Sequence, residues 1–529
     1  AIDRYLNGTL DDLYDPMLLK DMERAVSILC EAVDTGKKIR IVGDYDIDGV
    51  CSTYILLQAF ERLGSDVDFE IPDRIKDGYG INESIIEQAH ADGVEVILTC
   101  DNGISAFHQV ELAKKYGMTV VITDHHEVPL DGEKEKIPPA DAVIDPKQAD
   151  CPYPFPEICG AVVAYKLVQV LYARRGVPQM EWLDLLEFAA IATVGDVMKL
   201  QDENRILVKY GLKKMAQTKN LGLRRLAEKN NLDLGAITAY HIGFVIGPCL
   251  NAGGRLKTAK EALALLRAQS EEEAERLAEE LKELNDTRKD MTEQGTEAAK
   301  LQVESWYQKD KVLVVFLPEC HESLAGIIAG RLREYYQKPA IVLTRGEEAV
   351  KGSGRSIDEY HMFKKLTEVS DLLLKFGGHP LAAGLSLEEK NIDEFRRRLN
   401  ENAGLTEEDF KAKVWIDVPM PVGYVTERLV RELSCLEPFG QGNEKPLFAE
   451  KSLRIRASRV LGRNRNVVKM TLEETDGHAI EALYFGDGTA FEEERAGRRE
   501  IDVVYYPDIN EYNGRKTLQA VIRRYKFRG

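Results

Sequence analysis

Five short apolar runs, KIRIV, VDFEI, VEVILT, TVVIT and DAVID, recur between Lys38 and about residue 145, separated by polar or glycine-containing loops and helix-patterned segments. The stretches 50–63, 82–91 and 104–116 carry the helical periodicity between them. Such alternation of apolar runs and helices is the pattern of a parallel sheet covered by helices. Helices at 159–175 and 181–192 are expected to complete that domain. A length of 529 residues exceeds what one core serves, since domains average roughly 150 residues. Further domains are therefore expected, and the chain's texture supplies them. Between Glu271 and Asp290, 13 of 20 residues are charged, while Leu277, Leu281 and Leu284 share one helical face. This reads as a long exposed helix, either bridging two domains or packed on one. A second α/β pattern follows, with strands KVLVVF and AIVLT, a helix near 323–336 and glycine-rich loops GSGRS and FGGHP. After about residue 412 short strands separated by Gly/Asn turns predict a small all-β barrel or sandwich.

The first domain carries unusual acids. Asp44, Asp46 and Asp48 in IVGDYDIDGV follow the first apolar run directly. In an extended stretch residues i, i+2 and i+4 share a face, so the three carboxylates are expected close together. Two carboxylates about 4 Å apart repel by roughly 1–4 kcal/mol at effective dielectrics between 80 and 20, so something must compensate. A helix N-terminus is one candidate, because Gly49 precedes a helical pattern and Asp is favoured as an N-cap. The arrangement recurs: VEVILTC ends in Asp101-Asn102-Gly103, TVVIT ends in Asp124-His125-His126, and the helical AAIATV ends in Gly195-Asp196. Parallel strands place their carboxyl ends along one edge of a sheet, where ligands bind at the switch in strand order. Carboxylates converging there with imidazole favour Mn²⁺ or Mg²⁺ over Zn²⁺, since no cysteine stands among the candidate ligands.

VGDYDIDG, TCDNG, TDHH and TVGDV resemble, in order, the four motifs of the DHH phosphoesterase superfamily. PDRIKDGYGIN, GPCLNAGGRL, HESLAGIIAGRL, GSGRS, FGGHPLAAGLSL and LEPFGQGNEKPLF extend the resemblance to the bacterial RecJ single-strand-specific exonuclease family over essentially the whole chain. The resemblance implies two α/β domains (DHH and DHH-associated) around a cleft, joined by a long helix, plus a C-terminal all-β OB-fold. The corresponding division is 1–210 catalytic, 211–305 helical connector, 306–411 DHH-associated and 412–529 nucleic-acid-binding. It further implies that Asp44, Asp46, Asp101, His125 and Asp196 are ligands of two metal ions, with Asp101 bridging. His126 would contact phosphate or complete the metal site, and Asp48 and Asp124 would support it. Arg255, Ser353, Arg355, Ser356 and His379 would hold substrate phosphates, with Arg74 and Tyr79 as further backbone or base contacts. Val42 stands where some relatives carry a His ligand, and Cys249 where many carry Arg.

The implied activity is a metal-dependent hydrolysis of single-stranded DNA from the 5′ end to mononucleotides in repair and recombination. The alternatives are a DHH phosphodiesterase or exonuclease acting on RNA or short oligonucleotides, and an inactive DHH replication-scaffold protein. The family also implies single-strand-binding protein and a RecQ-type helicase as partners, and a monomer. A net charge of −18 excludes a globally basic nucleic-acid coat and disfavours anionic membranes. A local patch remains. Lys451, Arg454, Arg456, Arg459, Arg463, Arg465 and Lys469 occur between 451 and 470 without a single Asp or Glu, which suits a single-strand phosphate backbone. Tyr484, Phe485, Tyr505 and Tyr506 are candidate stacking surfaces or core residues. Eight scattered cysteines without a CxxC pair read as reduced thiols. With no signal-peptide pattern and no long apolar run, a cytoplasmic location is expected.

Overall fold

The computed structural model describes residues 2–132, 134–462, 464–512 and 515–528. Strands β1 (Ile39–Val42), β2 (Val67–Glu70), β3 (Val96–Cys100), β4 (Thr119–Thr123) and β5 (Ala142–Ile144) form one sheet in the order β2-β1-β3-β4-β5. All its pairings are parallel. β1, β3 and β5 are buried throughout, as sheet strands covered on both faces must be. The order reverses between β1 and β3, so the loops leaving those two strands flank the switch point. Helices α1 (Ile47–Arg62), α2 (Glu83–Ala91), α3 (Phe107–Lys115), α4 (Gly160–Arg174) and α5 (Leu186–Gly195) alternate with or follow these strands. The helix expected at 181–192 is interrupted: a short helical piece spans Gln179–Leu183, and α5 starts at Leu186.

After α6 (Gly247–Leu256), helix α7 (Glu271–Gln302) runs 32 residues, about 48 Å at 1.5 Å per residue. Ser270 caps its start by accepting from Glu273 N. Its buried face carries Leu277 and Leu281 in the first half and Thr292, Thr296 and Ala299 in the second. The first half packs on α6 and neighbouring helices, the second on α8 (Ala325–Tyr336). It is thus the bridge that its charge pattern left as one of two options. A second, mixed sheet follows. It contains β6 (Leu313–Phe316), β7 (Ala340–Arg345), β8 (Val350–Arg355), β9 (Leu373–Gly378) and β10 (Ala382–Leu387), in the order β9-β10-β8-β7-β6. Separate apolar clusters fill its two faces.

The C-terminal sheet closes on itself. Strands β11 (Val418–Pro419), β12 (Phe448–Leu461), β13 (Val467–Glu473), β14 (Ala479–Phe485), β15 (Glu500–Tyr512) and β16 (Arg515–Arg528) pair in the order β11-β12-β13-β14-β16-β15. An additional β12–β15 pairing completes the barrel around Leu453, Val468, Phe491 and Tyr505. The described chain separates into two compact units, one of residues 13–198 and 210–412, the other of 1–12, 199–209 and 413–529. Two segments outside the C-terminal stretch therefore cluster with the barrel. The reason is local: buried Arg205 donates to the carbonyls of Cys435 and Glu437 at 3.0 and 2.7 Å and lies 4.2 Å over the Tyr5 ring. Tyr5 Oη donates to Asn443 Oδ1 at 2.7 Å, and Leu200 N to the carbonyl of Gln441 at 2.7 Å. LEPFGQGN is the clasp that holds these segments.

Candidate metal centre and phosphate cleft

The loop after β1 does not stay extended. α1 begins at Ile47, so Asp46 is its N-cap, and Asp46 Oδ1 accepts from Asp48 N and Gly49 N at 3.0 and 3.2 Å. Asp48 sits in the first helical turn, and its two oxygens accept the Gly160 and Ala161 amides at the start of α4, both at 2.7 Å. The shared-face reading of Asp44, Asp46 and Asp48 is thus replaced by a cap and a crossover link. Gly160 is required at that point, because a Cβ there would lie 2.7 Å from Asp101 Cβ. Asp101 turns back with φ 61°. Its neighbour Asn102 locks the turn by donating to the carbonyls of Val42 and Cys100 at 3.0 and 2.9 Å.

Asp44, Asp46 and Asp101 place one carboxylate oxygen each within 4.8 Å of one another, as do Asp101, His125 and His126, and Asp48, His125 and Asp196 in their own ligand atoms. His125 Nε2 stands 3.1 Å from Asp101 Oδ1, 3.5 Å from Asp48 Oδ2 and 3.8 Å from Asp196 Oδ2. His125 Nδ1 is buried without a partner among the described residues. Asp124 accepts from the amides of Ile104, His125 and His126 and from His126 Nδ1 at 2.7 Å. Tyr79 Oη donates to the Asp101 carbonyl at 2.7 Å and lies 3.0 Å from His126 Nδ1. It is therefore tied to the acidic site, not placed in the cleft described below.

Burial, and after it the neighbouring carboxylates, pushes Asp44, Asp46 and Asp101 above the usual carboxylate range and Asp196 up to about 8. Burial also acts on Asp124, but the His126 hydrogen bond and charge outweigh it and hold that carboxyl low. Burial works against the His126 imidazolium, which the Asp124 hydrogen bond and charge nevertheless raise to about 9. A set of mutually repelling carboxylate oxygens with His125 Nε2 among them fits a hard or borderline divalent cation. One residue absent from the sequence reading joins this edge: Asp145, after β5, is fully buried with Oδ2 unpartnered among the described residues. Its carboxyl is raised to about 7 by burial and then Asp124.

These shifts carry a testable sign. Folded Asp196 keeps its proton to about pH 8, whereas the unfolded chain releases it near the ordinary 3.8. Between those values the folded state binds more protons, so stability falls as pH rises. The melting temperature in chelator is expected to decline from pH 4 to 8, and saturating Mn²⁺ to remove most of that decline.

Beside the acids lies a cleft of about 750 Å³ lined by Tyr45, Arg74, Arg255, Arg331, Ser353 and Arg355, among others. Arg74 stands 4.8 Å over the Tyr45 ring. Burial, then Arg74 and Arg288, pushes Arg255 down to about 10, and burial, then Arg333 and Arg74, lowers Arg355. Such crowded guanidinium groups await an anion. Gly326, in the first turn of α8, sits against these groups: a Cβ there would lie 2.9 Å from both Arg355 Nη2 and Ser353 Oγ and would push those side chains aside. Ser356 is not part of the cleft. It is buried, and its hydroxyl donates to the Tyr360 carbonyl at 2.5 Å. Ser353 and Arg355 line the cleft from β8, whereas Ser356, just past the end of that strand, turns to the core. His379 is exposed outside the cleft lining; Glu127, whose carboxyl the Lys147 hydrogen bond and charge hold low against burial, also feels His379 weakly.

Residues 38–193 match the DHH family N-terminal domain, 309–404 the DHHA1 domain and 416–524 the RecJ OB domain. The single-stranded-DNA-specific exonuclease RecJ of Haemophilus influenzae is 33% identical over 98% of this chain and 92% of its own length. The chain belongs to the RecJ family. The RecJ of Bacillus subtilis is 38% identical over 97% of this chain, and the chain spans 64% of that relative's length. Thermus thermophilus RecJ in complex with Mn²⁺ superposes with TM-score 0.84 at 30% identity, covering 99% of this chain and 74% of that one. The same protein in complex with Mg²⁺ gives TM-score 0.77 at 28% identity, with 99% and 72% coverage.

Against the RecJ pattern, Val42 is fully buried within the sheet's apolar cluster. Cys249 is also buried, its Sγ accepting from Asn285 Nδ2 of α7 at 3.3 Å. That position faces helix packing, so no phosphate is held from it. On the RecJ OB barrel, Lys451, Arg454, Arg456 and Arg459 are exposed. Arg456 lies 3.4 Å from Glu473, and Lys469 2.8 Å from Glu481. Arg465 Nε donates to Thr489 Oγ1 at 3.0 Å, and Arg463 lies outside the described residues. Tyr505 is core, its hydroxyl donating to the Met420 carbonyl at 2.9 Å, and Tyr484 packs against Phe491 and Tyr525. Tyr506 has Lys445 4.6 Å from its ring centroid, and Phe485 is exposed.

Proposed function

We propose that this chain degrades single-stranded DNA from the 5′ end to mononucleotides during repair and recombination. The observation that carries the reading is the buried carboxylate cluster at the sheet's switch point beside an arginine-lined cleft. Asp44, Asp46, Asp101, His125 and Asp196 would hold two Mn²⁺ or Mg²⁺ ions, Asp101 serving both, since it belongs to two of the three ligand groups. Such a pair supplies Lewis-acid charge for in-line displacement at phosphorus. Around it, Asp48 and Asp124 fix the loops by accepting backbone amides. His126, cationic at neutral pH, donates to a phosphoryl oxygen. Arg74, Arg255, Ser353 and Arg355 hold the terminal phosphate, and His379 approaches from the second α/β domain.

Among the described residues no helix is long and apolar enough to cross a membrane. The family reading adds a cytoplasmic monomer acting with single-strand-binding protein and a RecQ-type helicase. Digestion of 5′- and 3′-labelled DNA and RNA single strands in Mn²⁺ and in Mg²⁺ tests the assignment. Release of labelled mononucleotide first from 5′-labelled DNA is expected, whereas preference for RNA or for 3′ ends overturns it. Arg355→Ala is expected to raise KM for 5′-phosphorylated strands by roughly tenfold, the worth of one charge-assisted hydrogen bond. Its calorimetric Mn²⁺ titration should match the parent's.

A further inference from the structure

Helical backbone runs unbroken from Ala239 to Leu256: one turn over Ala239–His241, a π-helical turn over Ile242–Ile246 and then α6. Close approaches lay this stretch along the acidic centre. A Cβ on Gly254 would collide with the Tyr45 carbonyl, one on Gly247 would lie 3.3 Å from Ile47 Cδ1 and one on Gly243 3.7 Å from Val194 Cγ1. Tyr45 and Ile47 flank the cap Asp46, and Val194 stands two residues before Asp196. Arg255, at the C-terminal end, lines the arginine cleft. At the other end stand Tyr240 and Phe244, 63% and 66% exposed, whereas Ile242 and Ile246 are fully buried. The isoleucines therefore anchor the segment, and its packing leaves the aromatics outside. Their rings stack on each other, with centroids 4.8 Å apart and planes at 27°.

Single exposed apolar residues are ordinary, but a stacked pair of large rings beside a charged centre marks a surface that something flat covers. π-Helical turns, too, occur preferentially at functional sites. The helix itself measures how far this surface lies from the arginine cleft. Phe244 and Tyr240 precede Arg255 by 11 and 15 residues, about 17 and 23 Å at 1.5 Å per residue. A single strand advances 3.4 Å per stacked nucleotide and about twice that when extended. An extended strand with its terminal phosphate at Arg255 thus reaches the pair with roughly its third or fourth nucleotide. We propose that Tyr240 and Phe244 form a stacking platform for that base, so that the strand is held on both sides of the bond cut at the acidic centre. Every base has a π face, so the platform is indifferent to sequence. A base paired in a duplex cannot leave its stack to lie there, so the platform selects single strands. The direction of the strand rests on the exonuclease reading.

The test uses the full chain carrying Asp101→Ala, which binds without cutting, and 5′-phosphorylated ten-nucleotide DNA with 2-aminopurine at one position from the second to the sixth. Quenching of its fluorescence is expected at the third or fourth position, lost in Tyr240→Ala and in Phe244→Ala and kept in Tyr240→Phe. Each alanine variant should weaken binding of the ten-nucleotide strand by roughly tenfold, the worth of one base stack, and leave a 5′-phosphorylated dinucleotide unchanged. An abasic site at the quenched position should cost the parent the same factor and Phe244→Ala nothing more. Melting curves verify folding, and Phe244→Leu, which keeps apolar bulk without a ring, decides if an alanine variant unfolds. Equal binding of the long strand by parent and variants, quenching at none of the positions, or a loss equal for dinucleotide and long strand would each overturn the proposal. So would a parent dimer that Phe244→Ala dissolves while strand binding stays the same. A failure of the exonuclease assignment would appear in the labelled digestion, whereas these binding measurements involve no cleavage.

Discussion

Asp101→Ala is expected to lower hydrolysis by about three orders of magnitude or more while the protein remains folded. Asp101 is the one side chain that stands in both the Asp44/Asp46 group and the His125/His126 group, 3.1 Å from His125 Nε2. Removing it takes an oxygen from each ligand group at once, and metal-supplied charge stabilisation is worth several kcal/mol, each 1.36 kcal/mol being tenfold in rate. The fold is expected to survive because the carboxylate itself is a source of strain. Burial and then Asp48, Asp46 and Asp44 raise its proton affinity well above normal. Relieving that repulsion should raise the melting temperature in chelator at pH 8, where the remaining acids are most charged. In saturating Mn²⁺ the order should reverse, because the parent then gains binding energy that the variant lacks. Near-parental turnover, or loss of Mn²⁺ stabilisation without loss of activity, would remove Asp101 from the centre.

How far the sequence could be read depended on whether a feature was set by local periodicity or by tertiary register. The alternation of apolar runs and helices located the catalytic sheet, and parallel strands necessarily gather their carboxyl ends on one edge, so Asp44, Asp101 and Asp124 were visible as a group. The direction of each side chain was not. Asp46 and Asp48 read as neighbours on an extended face, yet the helix starts at Ile47 and sends one oxygen of Asp46 back to its own cap and both oxygens of Asp48 to α4. Asp145 carried no signal beyond its place after an apolar run, and Arg331, though inside HESLAGIIAGRL, was not singled out, because the place of each is set by elements distant in the chain. The clasp of LEPFGQGN on Arg205 and Tyr5 was equally illegible: no pattern in one segment announces which buried guanidinium will meet its carbonyls.

That clasp decides how the barrel must be tested. Deleting residues 413–529 would strip Arg205 of both carbonyl partners and leave 1–12 and 199–209 without the surface they pack on. Weaker binding by such a truncation would therefore report unfolding as much as the absence of a basic surface. Charge reversal of Arg454, Arg456 and Arg459 avoids this, because all three are exposed on β12 and their one ion pair among the described residues joins Arg456 to Glu473 at 3.4 Å. In catalytically inactive protein the triple reversal is expected to weaken binding to long single strands by on the order of a hundredfold at low salt. The slope of log affinity against log salt should flatten by about 0.7 for each phosphate no longer neutralised, about 2 in all. Strands too short to reach beyond the acidic site should bind as before. An unchanged slope in a variant with the parent's melting temperature would remove this face of the barrel from the path of the strand. It would leave Tyr506, with Lys445 and Arg523 beside its ring, as the surface to reverse next. Arg454 and Arg459 point to solvent beside a core built of Leu453, Val468 and Tyr505, so nothing in the barrel's own packing requires their charge. A backbone of phosphates would.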